Sequence, residues 1–86
     1  MYRLQLERRV TKALDDLPVT TRQRILGALA GLRSAPRPAG CVKIQGETSS
    51  YRMGVGKYRV IYAVDDAQHE ITVWLIGQRR DAYRRL

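Results

Sequence analysis

Hydrophobic and polar positions divide the chain into an opening strand, two helices and a closing run of strands. Tyr2 to Leu6 alternates, with Tyr2, Leu4 and Leu6 on one face of a short strand. From Glu7 the interval lengthens, and Val10, Leu14 and Leu17 recur at helical spacing until Pro18 stops the run. This predicts a helix over 7–17. A second helix over 20–33 begins at Thr20 or Thr21, either of which has the side chain of a cap. Its apolar stripe is Ile25, Leu26, Leu29 and Leu32, and Ala28 and Ala30 keep it slim. So short a break between the two predicts an αα-hairpin.

Pro36, Pro38 and Gly40 then mark a loop. Val42 to Ile44 is a short extended piece, followed by a second loop from Gly46 to Ser50. Tyr51–Val55, Tyr58–Val64 and Ile71–Ile76 are rich in β-branched and aromatic residues and predict three strands. Gly56-Lys57 joins the first two, and Gly at the first central position suits a type II′ turn. Asp65 to Glu70 is the polar loop of a second hairpin, where Asp65 and Asp66 are turn residues and His69 is exposed without an assigned role. Gln78 to Leu86 is a charged tail. The order β-α-α-β-β-β predicts an α+β fold, a small antiparallel sheet covered on one face by the helical hairpin. Val10, Leu14, Ile25, Leu29, Val60, Tyr62 and Val73 are its expected core.

Length and composition narrow the chemistry. Eighty-six residues make one domain, spanning 1–86, which buries only roughly 60–65% of its unfolded surface. One cysteine, Cys41, forms no internal disulfide and no cysteine-based zinc site, and one histidine builds no metal centre. No metal and no cofactor are expected. No apolar stretch of signal or membrane length opens the chain, which predicts a cytoplasmic protein with no membrane partner. Sixteen Lys+Arg against eight Asp+Glu give a net charge of +8, and nearly all the cations are arginines. Such an excess favours phosphate-bearing partners, and the planar guanidinium suits bidentate phosphate contacts. Arg8, Arg9, Lys12, Arg22 and Arg24 lie off the helical stripes and read as a solvated face.

The two-residue turn places side chains. If Val55 pairs with Tyr58, then Gly54 faces Arg59, Met53 faces Val60 and Arg52 faces Ile61. Arg52, Gly54, Arg59, Ile61 and Ala63 then share one face of the sheet. Tyr51, Met53, Val55, Tyr58, Val60, Tyr62 and Val64 share the other, which the helices cover. Two like charges as diagonal neighbours favour an anion between them, unless Asp81 or Glu47 folds back to neutralise the pair. Beyond the third strand, Arg79, Arg80 and Tyr83 combine phosphate-binding charge with a ring on which a base stacks. Gly54 to Lys57 is not a nucleotide-phosphate loop, because Tyr51 and Tyr58 occupy the positions of its glycine and hydroxyl residue. Ser49 and Ser50 have no nearby histidine to activate them.

The segment Tyr51-Arg52-Met53-Gly54-Val55-Gly56-Lys57-Tyr58-Arg59-Val60-Ile61-Tyr62 resembles the signature of RelE/ParE toxins, as does Gly77-Gln78-Arg79-Arg80-Asp81-Ala82-Tyr83. The resemblance extends over essentially the whole chain. It implies a type II toxin neutralised by an antitoxin encoded beside it. In the RelE branch it implies a metal-independent endoribonuclease that cuts ribosome-bound mRNA by attack of a ribose 2′-hydroxyl on the adjacent phosphate, inhibiting translation. By position, Arg52 replaces a lysine that stabilises the transition state, and Arg59 binds the scissile phosphate. Arg79 assists the leaving oxygen and Tyr83 stacks on a base, while Lys43, Lys57 and Arg80 add RNA-binding charge. Gly54 stands where RelE toxins have a second lysine, often assigned as general base. Restoring a lysine there is expected to speed cleavage if the strand tolerates it. This departure leaves open a ParE-like inhibitor of DNA gyrase, or a degenerate member that mainly binds its antitoxin.

Overall fold

The tightest local constraint is the turn at Gly56, whose φ of +60° lies in the left-handed region while Lys57 stays outside it. This is the pattern of a type II′ turn, whose twist matches the strands it joins. It fixes the register of β3 (Ser50–Val55) against β4 (Tyr58–Asp65), with Val55 opposite Tyr58, Gly54 opposite Arg59 and Arg52 opposite Ile61. The computed structural model describes residues 1–46 and 49–78. Its other elements are β1 (Arg3–Leu6), α1 (Arg8–Asp15), α2 (Val19–Leu32), β2 (Val42–Lys43) and β5 (Glu70–Gln78).

The α+β class is as expected, but the extended piece at Val42–Lys43 joins the sheet as a strand that the expected β-α-α-β-β-β order lacked, giving five strands in the order β1-β5-β4-β3-β2. It is mixed rather than purely antiparallel, because β1 lies parallel to β5 with Leu4 opposite Ile71. The helical hairpin makes this possible by carrying the chain away from β1 before the meander returns beside it. The crossover ends in backbone hydrogen bonds from Arg3 N to His69 O and from Glu7 N to Val73 O. Across the same seam Arg3 forms an ion pair with Glu70.

Strict alternation fails once, in β5. Ile61 is opposite Leu75 but Tyr62 is opposite Val73, so Trp74 is an extra residue that bulges the strand. Ile71 and Val73 therefore share the helical face with Ile76, while Leu75 turns to the other side. A bulge leaves backbone groups outside the ladder. Here Arg9 reaches from α1 to bond the Trp74 carbonyl, with its guanidinium 5.5 Å from the indole centroid.

Both helices bury their stripes in one cluster, where Val10, Leu14, Ile25, Leu29 and Leu32 meet Met53, Val60, Tyr62, Val64, Ile71, Val73 and Ile76. All seven expected core residues are buried. Leu26 is an exception to the predicted stripe and is 42% exposed. It follows Ile25 by one position, roughly 100° around the helix, while the i, i+4, i+7 series of Ile25, Leu29 and Leu32 fills the core. The start of α2 also differs. Pro18 holds the N-cap position and its carbonyl accepts from Arg22 N, which leaves Thr20 and Thr21 inside the first turn. No helix among the described residues is long and apolar enough to cross a membrane.

A polar network ties the proline loop to the sheet. Arg37 donates to Asp66 at 2.7 Å and to the Tyr51 hydroxyl at 2.9 Å. Asp66 also accepts from the Tyr2 hydroxyl at 2.6 Å. Tyr62, whose ring stacks on Tyr51 at 5.8 Å, donates to the Pro36 carbonyl at 2.7 Å. The hydrogen bonds from Arg37, and next from Tyr2, hold the Asp66 carboxyl below the usual carboxylate range. A depressed pKa contributes stability above the unfolded value, about 3.9, and that stability is lost as pH falls through the folded value. Asp66→Asn should therefore lower the urea midpoint at neutral pH. Its deficit against wild type should shrink between about pH 5 and about pH 2.

Candidate functional site

Arg52 and Arg59 do share a face. The turn sets them on adjacent strands one pair apart, and both line a cleft of about 370 Å³ with Gly40, Val42, Met53 and Gly54. Opposite the helices, this face carries a second small apolar cluster in which Ile44 and Trp74 pack on buried Ile61 and Leu75. Arg52 stands opposite Ile61 of that cluster in the strand register. None of the described residues lining the cleft is acidic. Glu47 and Asp81, the carboxylates weighed as neutralising partners, lie outside the described residues.

Arg59 is held by backbone. Its Nη1 donates to the carbonyls of Gly56 at 3.2 Å and Tyr58 at 3.0 Å, which folds the guanidinium back over Gly54. A Cβ at position 54 would lie 2.9 Å from that Nη1 and 3.1 Å from Cζ. Gly54 thus provides the space in which the guanidinium lies. The expectation for Gly54→Lys changes accordingly: the strand accepts a side chain, but Arg59 must swing away to admit it. Gly54→Lys should lower nucleic-acid cleavage rather than raise it, by roughly tenfold or more if Arg59 is the phosphate ligand. Single-turnover cleavage by the variant beside wild type and Arg59→Ala checks this, and a rate between the two is expected.

The other candidates are less convergent. Lys57 is exposed at the turn and is not among the residues that line the cleft of Arg52 and Arg59. Lys43 is paired with Tyr51, so it takes the face opposite to Arg52 and does not join the pair. Arg79, Arg80 and Tyr83 lie outside the described residues. One cation that the sequence placed on a solvated face comes close to the hairpin. Arg24, from α2, borders a cleft with Thr21, Val55, Gly56, Lys57 and Tyr58. Helical periodicity marked it as off the core stripe, and nothing in the sequence placed the strand turn beside it.

The sequence model describing the ParE toxin of type II toxin–antitoxin systems matches residues 4–83. A protein of Methanocaldococcus jannaschii named toxin RelE1 is 28% identical over 86 residues, covering 96% of each chain. The RelE–RelB complex of Pyrococcus horikoshii contains a chain 30% identical, with a TM-score of 0.79 over 91% of this chain and 94% of that one. The intact RelBE complex of E. coli contains one 26% identical, again at 0.79, over 91% and 96%. The relatives are RelE proteins, although the matching model carries the ParE name. On this evidence the chain is a toxin of a type II toxin–antitoxin system and belongs to the RelE/ParE superfamily.

Proposed function

We propose that this toxin is a ribosome-dependent, metal-independent mRNA endoribonuclease of the RelE kind, acting in the cytoplasm to inhibit translation. The observation that carries the reading is the cleft in which Arg52 and Arg59 flank Gly54 with no acidic residue among its described lining. Two guanidiniums on a rigid face suit the charge that builds on a phosphate as it becomes pentacoordinate. The ribose 2′-oxygen attacks the adjacent phosphorus and the bond to the 5′-oxygen breaks, leaving a 2′,3′-cyclic phosphate and a 5′-hydroxyl. Arg59 binds the phosphate, Arg52 offsets its growing charge, Arg79 offsets charge on the leaving oxygen, and Tyr83 stacks on a base. The arginines do not accept the proton of the 2′-hydroxyl, because a guanidinium stays charged. A ribosomal group takes that role, and the leaving oxygen takes up a proton in turn.

An antitoxin from the adjacent gene is the second partner, as the RelE–RelB assemblies of the relatives support. Exposed Leu26 with Leu4, Leu29 and Ala30 lines a groove beside Arg3 and Arg33, which suits an apolar anchor flanked by acidic residues. The test of function is expression without antitoxin, with mRNA ends and DNA supercoiling followed in the same cells. New ends in translated messages with unchanged supercoiling are expected. Altered supercoiling with intact messages would instead mean a gyrase inhibitor, and neither change would mean a degenerate member.

A further inference from the structure

We infer that the tip of the β3–β4 hairpin carries a second phosphate subsite, built by Arg24 and Lys57, for an RNA backbone phosphate flanking the one held at Arg52 and Arg59. The inference rests on the ribonuclease reading and extends it to the next position along the strand.

The subsite begins with Gly56. Lacking a side chain, and with a φ of +60° that other residues rarely adopt, it turns the chain sharply and leaves its outer surface open. Arg24 occupies that opening, with Nη1 3.5 Å and Nη2 3.8 Å from where a Cβ at Gly56 would lie. Arg59 approaches the same residue through its bond to the Gly56 carbonyl. One guanidinium therefore reaches the turn from the helical side and another from the opposite face of the sheet.

The cleft at Arg24 has a volume of about 390 Å³, and Lys57 and Thr21 complete its polar lining. None of its lining residues is acidic. The ion pairs among the described residues engage Arg3, Arg9 and Arg37, and neither Arg24 nor Lys57 is in one. Two cations and a hydroxyl lining one cleft without a carboxylate have the chemistry of a phosphate site. The shape selects the ligand further. A strand passing from one cleft to the other must bend around a two-residue turn, which a single-stranded backbone does and a stiff duplex does not. The phosphate belongs either to the mRNA beside the scissile bond or to ribosomal RNA lining the decoding site.

Arg24→Gln tests the subsite, since Arg24 is exposed on α2 and its loss leaves the core intact. The readouts are cleavage of mRNA on programmed ribosomes and the salt dependence of ribosome binding. Arg24→Gln should raise KM by about three- to tenfold, with a smaller change in kcat, and should flatten the slope of log K against log salt by about one. Arg8→Gln, which removes the same charge from α1, should change neither. Binding to ribosomes that carry no mRNA separates the two sources. A slope change that persists there assigns the phosphate to ribosomal RNA, and one that vanishes assigns it to mRNA. If wild type cuts mRNA and Arg24→Gln matches it in KM and slope, or equals Arg8→Gln, the subsite is wrong. If wild type cuts no mRNA, the ribonuclease reading fails, and the salt slope of binding still decides the subsite.

Discussion

Replacing Arg59 by alanine is expected to lower the rate of mRNA cleavage by roughly 10²–10³-fold, with a smaller effect on ribosome binding. The size follows from where the charge is needed. The guanidinium is pre-placed over Gly54 by two backbone carbonyls, so little reorganisation accompanies the reaction. Its interaction strengthens as the phosphate gains charge, and a contact stronger in the transition state than in the ground state appears in kcat. Arg59→Lys should recover only part of the loss, because an ammonium cannot bridge two phosphate oxygens with a planar fork. Arg79→Ala should fall in the same range if it offsets the leaving oxygen. Equal loss of ribosome binding and cleavage in Arg59→Ala would move the residue from chemistry to docking.

The largest effect on stability is expected at Tyr62. Its side chain is fully buried where both helices meet the sheet, and burial pushes its phenol pKa well above the ordinary value. Tyr62→Ala removes that packing and leaves a cavity, at a cost of about 3–5 kcal/mol. Total stability for a domain of this kind is roughly 5–15 kcal/mol, so the variant should be close to unfolding at 37 °C. Tyr62→Phe keeps the ring and loses the hydroxyl with its bond to Pro36, which costs about 1 kcal/mol. Urea midpoints of the three proteins should rank wild type, Phe, Ala, with the larger gap at alanine. Because the Pro36 bond also fixes the loop that leads to Gly40 in the cleft, Tyr62→Phe should slow cleavage modestly.

The sequence was most informative where local chemistry leaves one geometry. Gly56-Lys57 is too short for more than one pairing, so the β3–β4 register and the shared face of Arg52 and Arg59 could be written down in advance. The helical stripes were legible for a similar reason, since one face had to meet the sheet. The parallel pairing of β1 with β5 was not, because no turn joins them and the partner is chosen by tertiary packing. Nor was the bulge at Trp74, which breaks an alternation that Ile71, Val73 and Leu75 superficially obey. Arg24 illustrates a third limit. Its distance from the core stripe was readable, but its neighbour across the fold was not. Gly54 was readable only as a missing lysine, whereas the fold shows that the space it leaves holds Arg59.

Ribosome-dependent cleavage at this cleft can be followed with purified components. Ribosomes carrying a defined mRNA, with the decoding site empty of tRNA, are saturated with the toxin and the 5′ ends of the message are mapped. The expected result is a cut within the codon in the decoding site, 2′,3′-cyclic phosphate on the upstream fragment, and loss of both in Arg59→Ala. Intact mRNA on ribosomes shown to be saturated with wild-type toxin would contradict it.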